Sequence, residues 1–245
     1  MAGRPSITLG SAGGKESKVW GQIEVIFVKP VEVHPAGELD RAASLLKAGG
    51  CLVYPTETFY ALGASVANQQ ALARINATKR RPQSKPLPVI IGDLTQLRLV
   101  AADDLEQWPG FETARGLMKI FWPGPLSIIM PGRPELSAVI KDQAGLVSVR
   151  LTPHPQAREL CRLAQSPLAA TSANLSGQAP ISRHQDLDPE VRRAVDMVLA
   201  GWPQPAGGLA STLVSPKGPG ELVVLRPGAL PVDRLVQAGF RLVAG

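Results

Sequence analysis

Two spacings of apolar and polar positions alternate along the chain. Residues 23–28 read as a strand. Over 38–47, Ala42, Leu45 and Leu46 share one face at helical spacing, and Gly49 and Gly50 stop that helix. Residues 51–54 form a short apolar run closed by Pro55, the pattern of a buried strand. The alternation continues with a helix near 69–78, a strand at 87–91, helices near 95–101 and 112–121, and a strand at 126–130. It resumes with strand 146–150, helix 156–164, strand 168–171 and helix 189–195. Strands at 197–199, 211–214 and 222–225 complete the sheet. Strands and helices in this order predict an α/β fold, a single domain with a twisted mixed sheet and flanking helices.

The chain has 245 residues, 44% of them hydrophobic, enough to bury a sizeable core. No fixed repeat period and no domain linker interrupts it. The Gly-, Ser- and charge-rich start predicts a flexible tail over 1–22, followed by one domain over 23–245. That start lacks the apolar core of a secretory signal. No apolar run approaches the roughly 20 residues that span a bilayer, so no membrane association is expected. Cys51 and Cys161 are the only cysteines and form no CxxC pair, which fits a cytoplasmic location. His34, His154 and His184 are scattered, so no protein-held metal site is expected. A net charge of +6 favours phosphate-bearing partners, RNA among them.

Neither familiar phosphate loop is present. Gly14 and Lys15 lack the rest of GxxxxGK[ST], and no GxGxxG follows a strand. Three polar clusters instead lie at predicted element ends, where α/β sheets commonly bind ligands. Pro55-Thr56-Glu57-Thr58 follows a strand and also reads as a turn with hydroxyl caps. Lys79, Arg80, Arg81 and Lys85 cluster at a helix end, where cations are favourable in any case. Pro82 and Pro86 stiffen this segment and limit the entropy lost on gripping a polyanion. Thr171-Ser172-Ala173-Asn174-Leu175-Ser176-Gly177 supplies small neutral donors that also make local turns. Glu57 is the one carboxylate beside these clusters; orienting a proton or water and stabilising the turn are both open to it.

The ordered set GCLVYPTETFYALG, KRRPQSKPL, WPGPLS, SVR, TSANLSG, ST and LRPG resembles the YrdC-like threonylcarbamoyl-AMP synthase family in its short, single-domain form, over about residues 33–230. The family's KxR and SxN pair is matched by Lys79 and Arg81 with Ser172 and Asn174. Two departures are Ala61, where the family usually has the Gly of YGLG, and Ile90, where His is frequent.

The resemblance implies a nucleotidyltransferase with a concave, positively charged cleft. It would convert L-threonine, bicarbonate or CO2, and ATP to threonylcarbamoyl-AMP and pyrophosphate, for threonylcarbamoyladenosine formation in tRNA. By the same resemblance Lys79, Arg81, Ser172, Asn174 and Arg226 bind ATP, with Lys79 and Arg81 facing the reacting phosphates. Thr56, Arg150 and Ser211 bind threonine. Mg2+ would arrive with ATP, and no tightly bound organic cofactor is implied. Downstream tRNA threonylcarbamoyl transferase proteins are the implied partners. A carbamoyl-adenylating relative and a non-enzymatic RNA-binding module are the competing readings.

Overall fold

The computed structural model describes residues 19–20, 23–24, 33–34, 38–80 and 85–245. The chain divides into two compact units, Met1–Pro30 and Val31–Gly245. In the first, Val19–Trp20 pairs antiparallel with Ile23–Glu24. The rest of the strand expected over 23–28, and the tail expected over 1–22 apart from Val19 and Trp20, lie outside the described residues.

The second unit is mixed α/β, as the pattern predicts, but its strands form two sheets rather than one. The five-stranded sheet runs in the order Thr171–Ser172, Tyr60–Gly63, Leu52–Pro55, Met197–Leu199, Val33–His34. The seven-stranded sheet runs Arg241–Leu242, Glu221–Arg226, Thr212–Pro216, Leu126–Pro131, Leu146–Leu151, Val89–Ile91, Leu168–Ala169. Parallel and antiparallel neighbours occur in both.

The apolar run expected as one strand over 168–171 therefore serves both sheets. Leu168 and Ala169 pair with Ile90 and Val89, whereas Thr171 and Ser172 pair with Leu62 and Ala61. Only Ala170 separates the two pairings, and its N–H donates to the Pro88 carbonyl at 2.8 Å. Close approach at this junction needs Gly63, because a Cβ there would meet the Ala169 carbonyl oxygen and the Tyr54 ring. The buried Tyr54 hydroxyl donates to that same carbonyl at 2.9 Å.

Helix Leu39–Lys47 packs Ala42, Ala43 and Leu46 against Ala157, Leu160, Cys161 and Ala164 of helix Pro155–Ala164. Full burial of a leucine such as Leu46 or Leu160 contributes about 2 kcal/mol. A larger core joins Leu72 and Ile75 of helix Gln69–Lys79 and Ala114 and Leu117 of helix Phe111–Phe121 to sheet residues including Ile128, Val149 and Val214. The helix expected at 95–101 is a 3-10 segment, Leu94–Leu99, started by Asp93, whose carboxylate accepts from Thr95 N–H at 2.7 Å. Helix Val232–Gln237 and strand Arg241–Leu242 lie beyond the elements read from the pattern. Among the described residues no helix is long and apolar enough to cross a membrane.

Candidate active site

A cavity of about 140 Å³ opens where the two sheets meet. Its walls include Thr56, Thr58, Ala61 and Ser172 from the five-stranded sheet and its loops. Ile90, Ser127, Arg150, Ser211 and Arg226 come from the seven-stranded side. Five residues predicted from sequence thus converge on one cavity: Thr56, Arg150, Ser172, Ser211 and Arg226.

Backbone pairing explains how each reaches it. Arg150 lies beside Ile90 in the parallel register, near the end of strand Leu146–Leu151. It is only 6% exposed, and burial lowers its guanidinium from the ordinary value to about 10, with the Arg226 cation acting in the same direction. At neutral pH it remains a cation. A buried guanidinium needs an anion, and Glu57 supplies one: its carboxylate forms an ion pair with Arg150. The Thr152 hydroxyl donates to the second Glu57 oxygen at 2.8 Å. Of the two roles left open for Glu57, its contacts are with Arg150 and Thr152 rather than within its own turn.

The hydroxyl groups are held just as locally. Thr56 Oγ1 donates to the Phe59 carbonyl at 2.7 Å, closing the turn between strands Leu52–Pro55 and Tyr60–Gly63. Ser127 and Ser211 share a hydrogen bond at 2.9 Å. Arg226, exposed at the end of strand Glu221–Arg226, folds its Nη2 back onto the Ser211 carbonyl at 2.8 Å. The LRPG turn after it allows this because Gly228 lies against the backbone of Ala210 to Thr212, where a side chain would collide.

Lys79 and Asn174 meet each other instead of the cavity wall. Asn68 caps helix Gln69–Lys79, accepting from Ala71 N–H at 2.9 Å, and Arg80 ends it in a left-handed conformation with φ of 49°. Ala71, Leu72, Ile75 and Lys79 form the buried stripe of this helix. Lys79 therefore enters the interior at 2% exposure, and its ammonium donates to the Ser172 and Asn174 carbonyls at 2.5 and 2.6 Å. Asn174 Oδ1 lies 3.4 Å from the same nitrogen, and its amide donates to the carbonyls of Leu175 and Gln178. Both residues brace the loop that presents Ser172. Arg81 lies outside the described residues, and neighbouring Arg80 pairs with Glu190 on the surface at 2.9 Å.

A protein-family model described as Telomere recombination, covering Sua5, YciO and YrdC, matches residues 44–228. The chain belongs to this family. A threonylcarbamoyl-AMP synthase of Stenotrophomonas maltophilia is 36% identical over 176 residues, covering 70% of this chain and 89% of that protein. The Bacillus subtilis threonylcarbamoyl-AMP synthase is 35% identical over 199 residues, covering 81% of this chain. The present chain spans only 55% of the length of that relative. The Sua5/YrdC-type fold is also that of P. abyssi Sua5 in its complex with L-threonine, with a TM-score of 0.75 and 29% identity over 86% of this chain and 62% of that one.

Within this Sua5/YrdC fold, the two departures fall on the cavity itself. Ala61 pairs with Ser172 and is 4% exposed, and Ile90 contributes a wholly apolar side chain beside Arg150. Sequence reasoning missed the role of Lys79 as a brace. The signal was present, since 3.6-residue spacing sets Lys79 on the stripe of Leu72 and Ile75. It also left Glu57 unassigned, because nothing local links it to Arg150.

Proposed function

We propose that this chain is an L-threonylcarbamoyladenylate synthase, consuming L-threonine, bicarbonate or CO2, and ATP to release threonylcarbamoyl-AMP and pyrophosphate. The observation that carries this reading is one cavity where a buried arginine, two threonine-side hydroxyls, Ser172 and Arg226 converge. The names of its relatives support the same activity.

The chemistry asks for alignment more than for a protein nucleophile. The threonine amine forms a carbamate, a carbamate oxygen attacks the α-phosphorus, and the bond to pyrophosphate breaks. Arg150 is suited to the amino-acid carboxylate through its planar fork. Thr56 and Ser211 are suited to the remaining polar groups of threonine. Ser172 and Arg226 face the nucleotide side, where Arg226 adds positive charge. Lys79 and Asn174 hold the Ser172 loop in shape, and Arg81 remains the candidate for direct phosphate contact. Mg2+ would be carried by the triphosphate. The product would be passed to tRNA-modifying enzymes in the cytoplasm, and the net charge of +6 supports weak, salt-sensitive RNA contact.

Pyrophosphate release tests this reading. It should require ATP, threonine and bicarbonate together and should proceed without tRNA, with threonylcarbamoyl-AMP detected by mass spectrometry. Arg150→Ala should raise the KM for threonine far more than that for ATP. Release independent of threonine, or an obligatory need for tRNA, would overturn the assignment. A purely RNA-binding module would release no pyrophosphate at all.

A further inference from the structure

The geometry points to Glu57 as a positioning residue that sets threonine affinity through Arg150. This rests on the reading that Arg150 takes the amino-acid carboxylate. Thr56 and Thr58 both line the cavity, but Glu57 between them does not. Its side chain instead meets Arg150 from outside the cavity wall, with one carboxylate oxygen on the guanidinium and the other accepting from Thr152 Oγ1 at 2.8 Å. Thr152 is itself fully buried, and its Oγ1 accepts from the His154 N–H at 3.2 Å. The Glu57 backbone is fixed as well, its carbonyl accepting from Ala206 N–H at 3.1 Å.

A guanidinium is planar, with its donors in a fixed fork, so fixing one edge fixes where the rest point. Glu57 thus does two things for Arg150. It balances a cation that burial disfavours, and it turns the free edge of the fork toward the cavity. Because Glu57 and Thr152 do not line the cavity, Glu57 acts on threonine only through Arg150 and does not compete for its site.

Glu57→Gln tests this, since the amide keeps the shape and an acceptor for Thr152 while removing the charge. The KM for threonine should rise about tenfold with kcat and the KM for ATP nearly unchanged, the pattern of lost ground-state positioning. In an Arg150→Ala background the same change should alter the threonine KM less than about twofold, because no fork remains to orient. Equal losses for threonine and ATP, additivity with Arg150→Ala, an unchanged threonine KM or tighter threonine binding would each overturn the assignment. Should Glu57→Gln fail to fold, Thr152→Val removes the second anchor, together with the acceptor of the His154 N–H, and should still raise the threonine KM selectively, by about threefold; no selective rise would sink the idea. If Arg150→Ala itself leaves the threonine KM untouched, the carboxylate reading is what failed, and the role of Glu57 falls with it.

Discussion

Lys79→Met separates bracing from direct phosphate contact. The substitution keeps most of the apolar stem but deletes the ammonium that binds the Ser172 and Asn174 carbonyls. A hydrogen bond to a charged group nets about 1.5–3 kcal/mol. The two bonds share one buried charge, whose desolvation offsets part of the gain, so their sum overstates the effect. A loss of about 2–3 kcal/mol is expected. With an m-value on the order of 2–3 kcal/mol/M in urea, that is a midpoint shift of about 1 M. Pyrophosphate release should also slow, by roughly 100-fold, as the loop carrying Ser172 relaxes. Urea unfolding followed by circular dichroism, beside the pyrophosphate assay, reads both quantities. Arg80→Ala is the control: its ion pair with Glu190 is exposed and should change stability by less than about 1 kcal/mol. If Lys79→Met unfolds at the parental midpoint yet loses activity, the brace is unimportant and Lys79 acts on the phosphates directly.

Three further outcomes follow from other sites. Gly63→Ala should destabilise the protein by about 3 kcal/mol in the same urea assay, because its Cβ would lie 2.8 Å from the Tyr54 ring and would press on the Ala169 carbonyl; a parental midpoint would mean the junction yields easily. Ala61→Gly should cost about 0.5–1 kcal/mol of stability while lowering the KM for at least one substrate, since it removes a methyl from the cavity wall; unchanged KM values for both would show that Ala61 crowds nothing. Burial lowers the pKa of His154 from its ordinary 6.5, so the unfolded chain takes up this proton first. The contribution is complete above pH 6.5 and is lost as pH falls toward the folded value, and His154→Asn should flatten the stability profile in that window. A profile as steep as the parent's would assign the acid sensitivity elsewhere.

Most helices and strands were legible because their apolar residues repeat at helical spacing or form short runs bounded by turn residues. Strand Tyr60–Gly63 was not, because the small Ala61 and Gly63 interrupt its apolar run and the preceding Pro-Thr-Glu-Thr cluster reads as a turn. Residues 168–171 looked like one strand because a change of sheet partner leaves no mark on hydrophobicity. The motif residues announced the site through resemblance, and five of them do line one cavity. Their contacts with one another were hidden. Whether Lys79 reaches solvent depends on which helix face packs inward, and the pairing of Glu57 with Arg150 depends on how two distant segments approach.

The single residue Ala170, between a pairing in one sheet and a pairing in the other, has a consequence for how the protein fails. The walls of the cavity are not carried by either sheet alone, and the crossing runs straight into the loop that Lys79 grips. Local opening of either sheet edge is therefore expected to disturb the cavity. Both pairings lie at a sheet edge, so backbone order along 168–173 and the shape of the cavity are expected to be lost together, and amide exchange along this stretch would report the integrity of the cavity.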